Sequence, residues 1–216
     1  MPKPIRDHRR DTTAALLLLT AVLILPACNL PAIGDKTFNV KQQYAGLDNR
    51  SVAVLVATGD YIDSNYPEVR EQLTREVTQR IATSVPGVQV TNPEQVLRFQ
   101  QDNPYWTARA PSELIRALNV QRLVIVELGE YRTHEPGDQH ILRGVVTGNV
   151  NVLEAEAPDP NNFAFNQSIR SAFPEESRSK IGYSRVTLNE DIVETEARRR
   201  FAVDAAGIFY DHKIKR

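Results

Sequence analysis

The stretch Ser51-Val-Ala-Val-Leu-Val-Ala57 is a nearly continuous apolar run rich in β-branched residues. Such a run is typical of a β-strand that is covered on both faces, because neither face then needs polar side chains. We therefore expect this strand at the centre of a sheet. A second run of the same kind, from Arg122 to Tyr131, predicts a neighbouring buried strand.

Amphipathic helices are predicted between these two strands. The pattern Asn65-x-x-Glu68, with Pro67 in the first turn, resembles a capping box and predicts a helix start there. Apolar residues then recur every four positions, which is typical of a helix that packs one stripe onto a sheet. These residues are Val69, Leu73, Val77 and Ile81.

Further short elements complete the first half of the chain. Residues 88–91 alternate as a short strand does, and the Asn92-Pro93 pair predicts a helix carrying Val96. Another helix is predicted from Pro111, with Leu114, Ile115 and Leu118 on one side. An alternation of strands and helices favours an α/β layer with parallel strands.

The second half has a different pattern. Residues 142–152 alternate apolar with polar, which predicts a long, half-exposed strand. A turn at residues 158–162 and the apolar residues of 163–173 predict an antiparallel return, with one more short strand at 181–186. A closing helix is predicted after Thr187-x-x-Glu190, with its apolar stripe at Val193, Ala197, Phe201, Ala205 and Phe209.

Together these elements predict one α/β (α+β) domain over residues 51–216. Its mixed sheet has parallel core strands and an added long antiparallel hairpin, with helices packed on it and a helix near the C-terminus.

The N-terminus has the layout of a secretory signal. A short basic segment precedes about 14 apolar residues that end at Cys28, the single cysteine of the chain. Leu25-Pro26-Ala27-Cys28 resembles the lipobox of bacterial lipoproteins, which implies a signal peptide at residues 1–27 and acyl chains on Cys28. Ordinary cleavage nearby, an uncleaved anchor or a plain free thiol are the alternatives. Residues 28–50 show no apolar period and are predicted to be a lipid-anchored tether.

Composition excludes several classes of protein. The 26 basic and 27 acidic residues leave no basic stripe for nucleic acid. A single cysteine excludes a disulfide scaffold and a site with several thiolate ligands. The chain has no Gly-x-Ser-x-Gly sequence and no glycine fingerprint for a phosphate, so we predict no catalytic residue and no cofactor.

The order of elements is similar to the α/β domain of certain envelope lipoproteins. The segments that carry this resemblance are Val52–Val56, Leu73–Val77, Val88–Val90, Leu118–Val126, the long strand and the last helix, within residues 50–213. The group includes LpoB-type activators of penicillin-binding proteins, the amino-terminal domain of TolB and CsgG-type secretion lipoproteins. The resemblance implies a binding or assembly role without catalytic residues.

Two polar groups are candidate ligand sites. His134, Glu135, Asp138 and His140 could bind a divalent metal, but Pro136-Gly137-Asp138 is a turn signal between two strands, and exposed turns collect such residues for backbone reasons. Asp60 and Asp63 follow the first central strand, at the edge where open α/β sheets bind ligands. Helix capping and loop formation are the alternative roles for these two aspartates.

Tyr105 and Trp106 are the candidate contacts for a protein partner, because aromatic side chains dominate interface energetics. The alternative for Trp106 is that its ring covers the core between two helices.

Two functions follow from these observations. The first is a membrane-anchored, non-catalytic adaptor or regulator that binds another protein on the periplasmic side of the cell envelope. The second is an envelope hydrolase or a small-ligand or metal receptor that uses Asp60 and Asp63 or the loop from His134 to His140. Asn29, directly after the cysteine, favours the outer over the inner membrane by analogy with lipoprotein sorting.

Overall fold

The fold is described by a computed structural model of the chain, which defines residues 37–175, 183–184 and 189–215. The chain divides into two compact units. The larger unit comprises residues 39–214, and the smaller comprises residues 1–38 with 215–216. Thr37, Phe38 and Lys215 are the described residues of the smaller unit, and each belongs to a strand.

A six-stranded mixed sheet forms the centre of the larger unit. Its strands are β2 (Ser51–Ala57), β3 (Gln89–Val90), β4 (Arg122–Glu135), β5 (Asp138–Glu154), β6 (Phe165–Phe173) and β7 (Tyr183–Ser184). The order is β3-β2-β4-β5-β6, and β7 also pairs with β5. Two short strands, β1 (Thr37–Val40) and β8 (His212–Lys215), form a separate two-stranded sheet.

Strand β2 has the central position that its apolar run predicts. It lies parallel to β3 on one side and to β4 on the other, and Val52 to Val56 are all buried. The antiparallel strands β5 and β6 then extend the sheet beyond β4. The prediction of a mixed sheet with a parallel core and an added antiparallel hairpin is confirmed.

Five α-helices and one 3-10 turn at Trp106–Ala108 are described. The helices are α1 (Asp60–Asn65), α2 (Val69–Ser84), α3 (Pro93–Asp102), α4 (Pro111–Leu118) and α5 (Glu190–Gly207). The helix after Pro93 is confirmed with its cap, since the Asn92 side chain accepts a hydrogen bond from the Glu94 amide. The closing helix is also confirmed, although its cap is Asn189, and Thr187 lies outside the described residues.

The predicted capping box at Asn65 and Glu68 is wrong. Asn65 ends α1, and its side chain donates a hydrogen bond to the Tyr61 carbonyl. Helix α2 begins after Glu68 without a side-chain cap, and its predicted stripe from Val69 to Ile81 is buried. A six-residue helix is less than two turns long, so α1 leaves no periodic pattern in the sequence.

The sheet separates two apolar cores. On one face, Val54 and Val126 pack with residues of α2 and α5 that include Leu73 and Phe201. On the other face, Leu55 and Ile125 pack with α3 and α4, as alternation along a strand requires. The core residues on the second face also include Val96, Leu114, Ile115 and Leu153.

The prediction that residues 142–152 are half exposed is wrong for most of the strand. Arg143 is 9% exposed and Asn151 is 1% exposed, although both lie on the polar side of the alternation. Their polar groups have partners, because Arg143 pairs with Glu135 and Asn151 accepts a hydrogen bond from Asn166. Hydrogen-bonded polar residues can therefore occupy buried positions that the pattern assigns to the surface.

The predicted tether overlaps the folded unit. Residues 39–50, the lead-in segment, belong to the larger unit, and Leu47 is completely buried. The Tyr44 ring packs against Phe165 and Phe209 with centroid distances of 5.5 and 6.1 Å. These contacts have no regular spacing in the sequence, so periodicity does not predict them. The rest of the predicted tether, before Thr37, lies outside the described residues.

Two further findings concern membrane-spanning helices and the last strand predicted from the sequence. Within the described ranges, no helix combines the length and the apolar character needed to cross a bilayer. Of the strand predicted at residues 181–186, the structure describes Tyr183 and Ser184, which pair with β5.

Helix α5 packs against β5 at a position that has no room for a side chain. A Cβ atom added at Gly144 would lie 2.5 Å from the Ala197 Cβ and 2.9 Å from the Val193 carbonyl oxygen. We expect Gly144→Ala to lower the free energy of unfolding by about 1 to 3 kcal/mol, because the helix must move outward. Urea denaturation measures this change.

Gly129→Ala is the matched control, because Gly129 lies on neighbouring β4 and its added Cβ would meet a single atom at 3.5 Å. This control should keep or raise stability. Equal losses in the two variants would contradict tight packing at Gly144.

Candidate functional site

The carboxyl edge is the part of the sheet where β2 ends, and it consists of residues 58–63 and 103–106. Helix α1 follows β2 directly and is held by Ile62, which is 4% exposed. The Gln100 side-chain amide donates to the Val56 carbonyl over 3.0 Å, which places the last turn of α3 beside the end of β2. The loops after β2 and after α3 therefore lie at the same edge.

Asp63 is already engaged within this edge. The Thr58 hydroxyl donates to Asp63 over 2.5 Å, and the Arg70 guanidinium contacts both Thr58 and Asp63. Asp63 thus has a positive partner and a hydroxyl donor, which is the structural role that the sequence left open for it. Asp60 is exposed in the first turn of the same helix, α1.

Two tyrosines dominate the exposed surface of the carboxyl edge. Tyr61 on α1 is 69% exposed, and Tyr105 after α3 is 83% exposed. Trp106, in contrast, is 5% exposed and packs in the core with Val96 and Leu114. Trp106 therefore covers the core, as its alternative role describes, and its buried ring is not accessible to a partner.

Tyr61 is the residue of this edge that the sequence analysis missed. It lies between Asp60 and Asp63, the two residues of this stretch that the sequence analysis named. A signal was present, because Tyr61 is an aromatic residue four positions after the end of the strand, at the ligand-binding edge of an open sheet. Residues 61 and 105 are 44 positions apart, and only the fold places the segments that contain them at one edge.

The tip of the β4–β5 hairpin contains the residues proposed as metal ligands. Glu135 pairs with Arg143 over 2.5 Å, and Asp138 accepts a hydrogen bond from the His140 amide over 2.8 Å. His134 Nδ1 lies 2.9 Å from the Thr133 hydroxyl. The predicted turn lies between the paired residues Glu135 and Asp138, and Gly137 within it has a φ of 84°. Among the described residues, no three His, Cys, Asp or Glu side chains converge as metal ligands.

The amino edge lies where β2 and β4 begin, and it consists of residues 46–51, 121–122 and 154–156. Arg122 is 4% exposed, and its guanidinium makes two hydrogen bonds to Glu156 of 2.6 and 2.7 Å. It also donates to the Gly46 carbonyl over 2.9 Å. Arg122 therefore fastens the lead-in segment to the first residues of β4.

Contacts at and beside the amino edge shift the pKa values of Glu156 and of Tyr44 in the lead-in segment. The hydrogen bonds from Arg122 lower the pKa of Glu156 to about 2. Burial, followed by the 2.6 Å hydrogen bond to Glu154, raises the pKa of Tyr44 well above its usual value. The amino edge is thus a network of paired structural groups, whereas Tyr61 and Tyr105 at the carboxyl edge are exposed.

Cys28, the predicted lipidation site, lies outside the described residues. Ten residues separate it from Asn39, where the larger folded unit begins.

Comparisons with known proteins show no matching family model and no matching curated protein. Among solved structures, the chain is similar to the PelC dodecamer from Paraburkholderia phytofirmans, with 10% identity and a TM-score of 0.44 over 79% of this chain and 96% of that one. It is also similar to lipoprotein GNA1162 from Neisseria meningitidis, with 12% identity and a TM-score of 0.43 over 68% and 91% of the two chains.

A putative lipoprotein from Caulobacter crescentus matches with 8% identity and a TM-score of 0.33, over 74% of this chain and 84% of that one. These similarities are too distant to assign this chain to a family or to give it a function.

Proposed function

We propose that this protein is a lipid-anchored, non-catalytic envelope protein that binds another envelope protein through Tyr61 and Tyr105. It acts as an adaptor or regulator on the periplasmic side, with the outer membrane favoured as its location. The observation that carries the proposal is the exposure of two tyrosine rings at one edge of the sheet, 69% and 83%, beside charged groups that pair with one another.

Tyrosines in this position suit protein recognition. A tyrosine ring provides a large contact area with few rotatable bonds, and its hydroxyl can hydrogen-bond at the rim of an interface. Of the two carboxylates of this edge, Asp63 is held by Arg70 and Thr58, and Asp60 is exposed to solvent. The geometry therefore favours contact with a partner over chemistry at this edge.

The proposed site lies far from the lead-in segment. The lead-in segment reaches the sheet at the amino edge, where Arg122 binds Gly46. Seven-residue β2 separates this edge from the carboxyl edge by about 20 Å. The lead-in segment and the proposed partner site thus lie at opposite ends of β2.

The test is cross-linking on intact envelopes followed by affinity recovery of the full chain. The unaltered chain should recover one protein partner reproducibly. The double variant Tyr61→Ala with Tyr105→Ala should reduce this recovery at least about tenfold, because truncating an aromatic anchor commonly costs more than 1 kcal/mol per ring.

Phe38→Ala is the matched control, because Phe38 is a large exposed side chain on β1 at 47% exposure. Its recovery of the partner should equal that of the unaltered chain. Recovery of no partner, or equal recovery by the double variant, would contradict the proposed role of the carboxyl edge.

A further inference from the structure

Strand β6 forms one end of the sheet in the part of the chain that the structure describes. Its nine residues pair with β5 without a register shift, from Phe165 opposite Val152 to Phe173 opposite Gly144. No described strand pairs with its other side. The opposite end of the sheet is β3, which has two residues. Strand β6 is therefore the one long edge of the described sheet, with a regular row of outward backbone groups.

This edge lacks the usual protection against pairing. Natural edge strands carry lysine, proline or a β-bulge, or are very short. The sequence of β6, FNQSIRSAF, contains no lysine, proline or acidic residue. Its single charged residue is Arg170, and its pairing with β5 shows no bulge. Such an edge is suited to pairing with another strand.

We propose that β6 pairs antiparallel with β6 of a second copy of this chain, around a twofold axis at Ile169. In this register Phe165 lies opposite Phe173 of the second copy, and Ser168 lies opposite Arg170. Arg170 therefore lies opposite the Ser168 hydroxyl of the second copy and not opposite that copy's Arg170. The pairing thus places no two like charges directly opposite each other. A twofold axis makes the contact isologous, and every favourable contact occurs twice.

The two ends of β6 complement each other in shape. A groove of about 400 Å³ lies between the C-terminal half of β6 and α5, with Ala172, Glu175, Arg200 and Val203 in its lining. Phe163, two residues before β6, is 49% exposed. In the proposed register, position 163 lies opposite position 175 of the second copy. Each copy therefore presents an exposed ring at the groove of the other.

The groove also has a group that can receive this ring. The Arg200 guanidinium lies 4.9 Å from the centroid of the Phe173 ring, and it pairs with Glu175 over 3.0 Å. Phe163 of the second copy would add an aromatic face near the same cation, an arrangement that stabilises contacts in proteins. This self-complementarity selects a second copy over an unrelated strand as the occupant of the edge.

Disulfide trapping in native membranes tests the register. The full-length variant Ser168→Cys with Arg170→Cys should form a disulfide-linked dimer on mild oxidation, because its two positions are directly opposed. The variant Asn166→Cys with Arg170→Cys is the control, since its thiols are shifted by two residues and lie too far apart. The unaltered chain, with Cys28 as its one cysteine, provides the background. Equal cross-linking of both variants would overturn the proposed register.

Sedimentation of the purified full chain tests the contact at Phe163 without new cysteines. We expect a monomer–dimer equilibrium whose dissociation constant rises at least about tenfold in Phe163→Ala. Tyr105→Ala should leave it unchanged, which separates this inference from the proposed partner site. A monomer at all concentrations, an assembly larger than a dimer, or no effect of Phe163→Ala would overturn the proposal.

Discussion

Replacing Cys28 by serine should release the chain from membranes almost completely. Two or more acyl chains hold a protein firmly on a bilayer, since each buried methylene contributes about 0.8 kcal/mol. A serine hydroxyl cannot form the thioether that carries the lipid, so the substitution removes the predicted anchor. Fractionation of the envelope and mass spectrometry of the mature N-terminus measure the result.

Pro31→Ser is the matched control for Cys28→Ser, because it introduces the same residue three positions beyond the cysteine. This variant should remain membrane-bound, with an acylated Cys28 as its first residue. A Cys28→Ser chain that stays with the membranes and keeps residues 1–27 would show that the apolar run is an uncleaved anchor. The lipid anchor, and the proposed function that depends on it, would then be wrong.

Arg122→Ala should lower the free energy of unfolding by about 3 kcal/mol. Arg122 is 4% exposed, and the substitution removes its buried stem and its hydrogen bonds to Glu156 and the Gly46 carbonyl. Breaking a buried ion pair by removing one partner commonly costs about 3 to 5 kcal/mol. The lower value applies here, because half-exposed Glu156 can regain water. Urea denaturation at neutral pH measures the loss.

Arg75→Ala is the matched control for Arg122→Ala. Arg75 also contacts two acidic residues, Glu71 and Glu94, but its side chain is 42% exposed. Exposed ion pairs contribute little, so this variant should lose less than about 1 kcal/mol. Similar losses in the two variants would contradict the role of burial at the amino edge.

The effect of Arg122→Ala should also depend on pH. The pKa of Glu156 falls from an ordinary value of 4.5 to about 2 in the folded chain. A lowered carboxyl pKa stabilises the folded state above the unfolded value, and this contribution is lost as the pH falls through the folded value. The stability difference between the unaltered chain and Arg122→Ala should therefore be full above about pH 4.5 and shrink towards pH 2.

Much of the fold could be predicted because burial restricts composition. Strand β2 must be apolar on both faces, since Val54 faces one core and Leu55 faces the other. Helix α2 must be apolar on one side, so its stripe repeats every four residues. These constraints act on neighbouring positions in the chain and are visible in the sequence.

Other elements left no such pattern. Helix α1 is six residues long, and the lead-in segment packs through isolated residues such as Leu47. The burial of Arg143 and Asn151 depends on partners in other parts of the chain, Glu135 and Asn166. A contact between distant positions leaves no regular spacing, so it could not be predicted from one sequence.

The sequence by itself determined the strands of the central sheet, most helices and their order, and it predicts the lipid anchor. All of these depend on local composition and short-range periodicity. Only the tertiary structure decided that Trp106 is buried while Tyr105 is exposed, and that Tyr61 lies at the same edge of the sheet. Exposure of a side chain depends on which elements pack above it, and that packing is set by contacts between residues far apart in the chain.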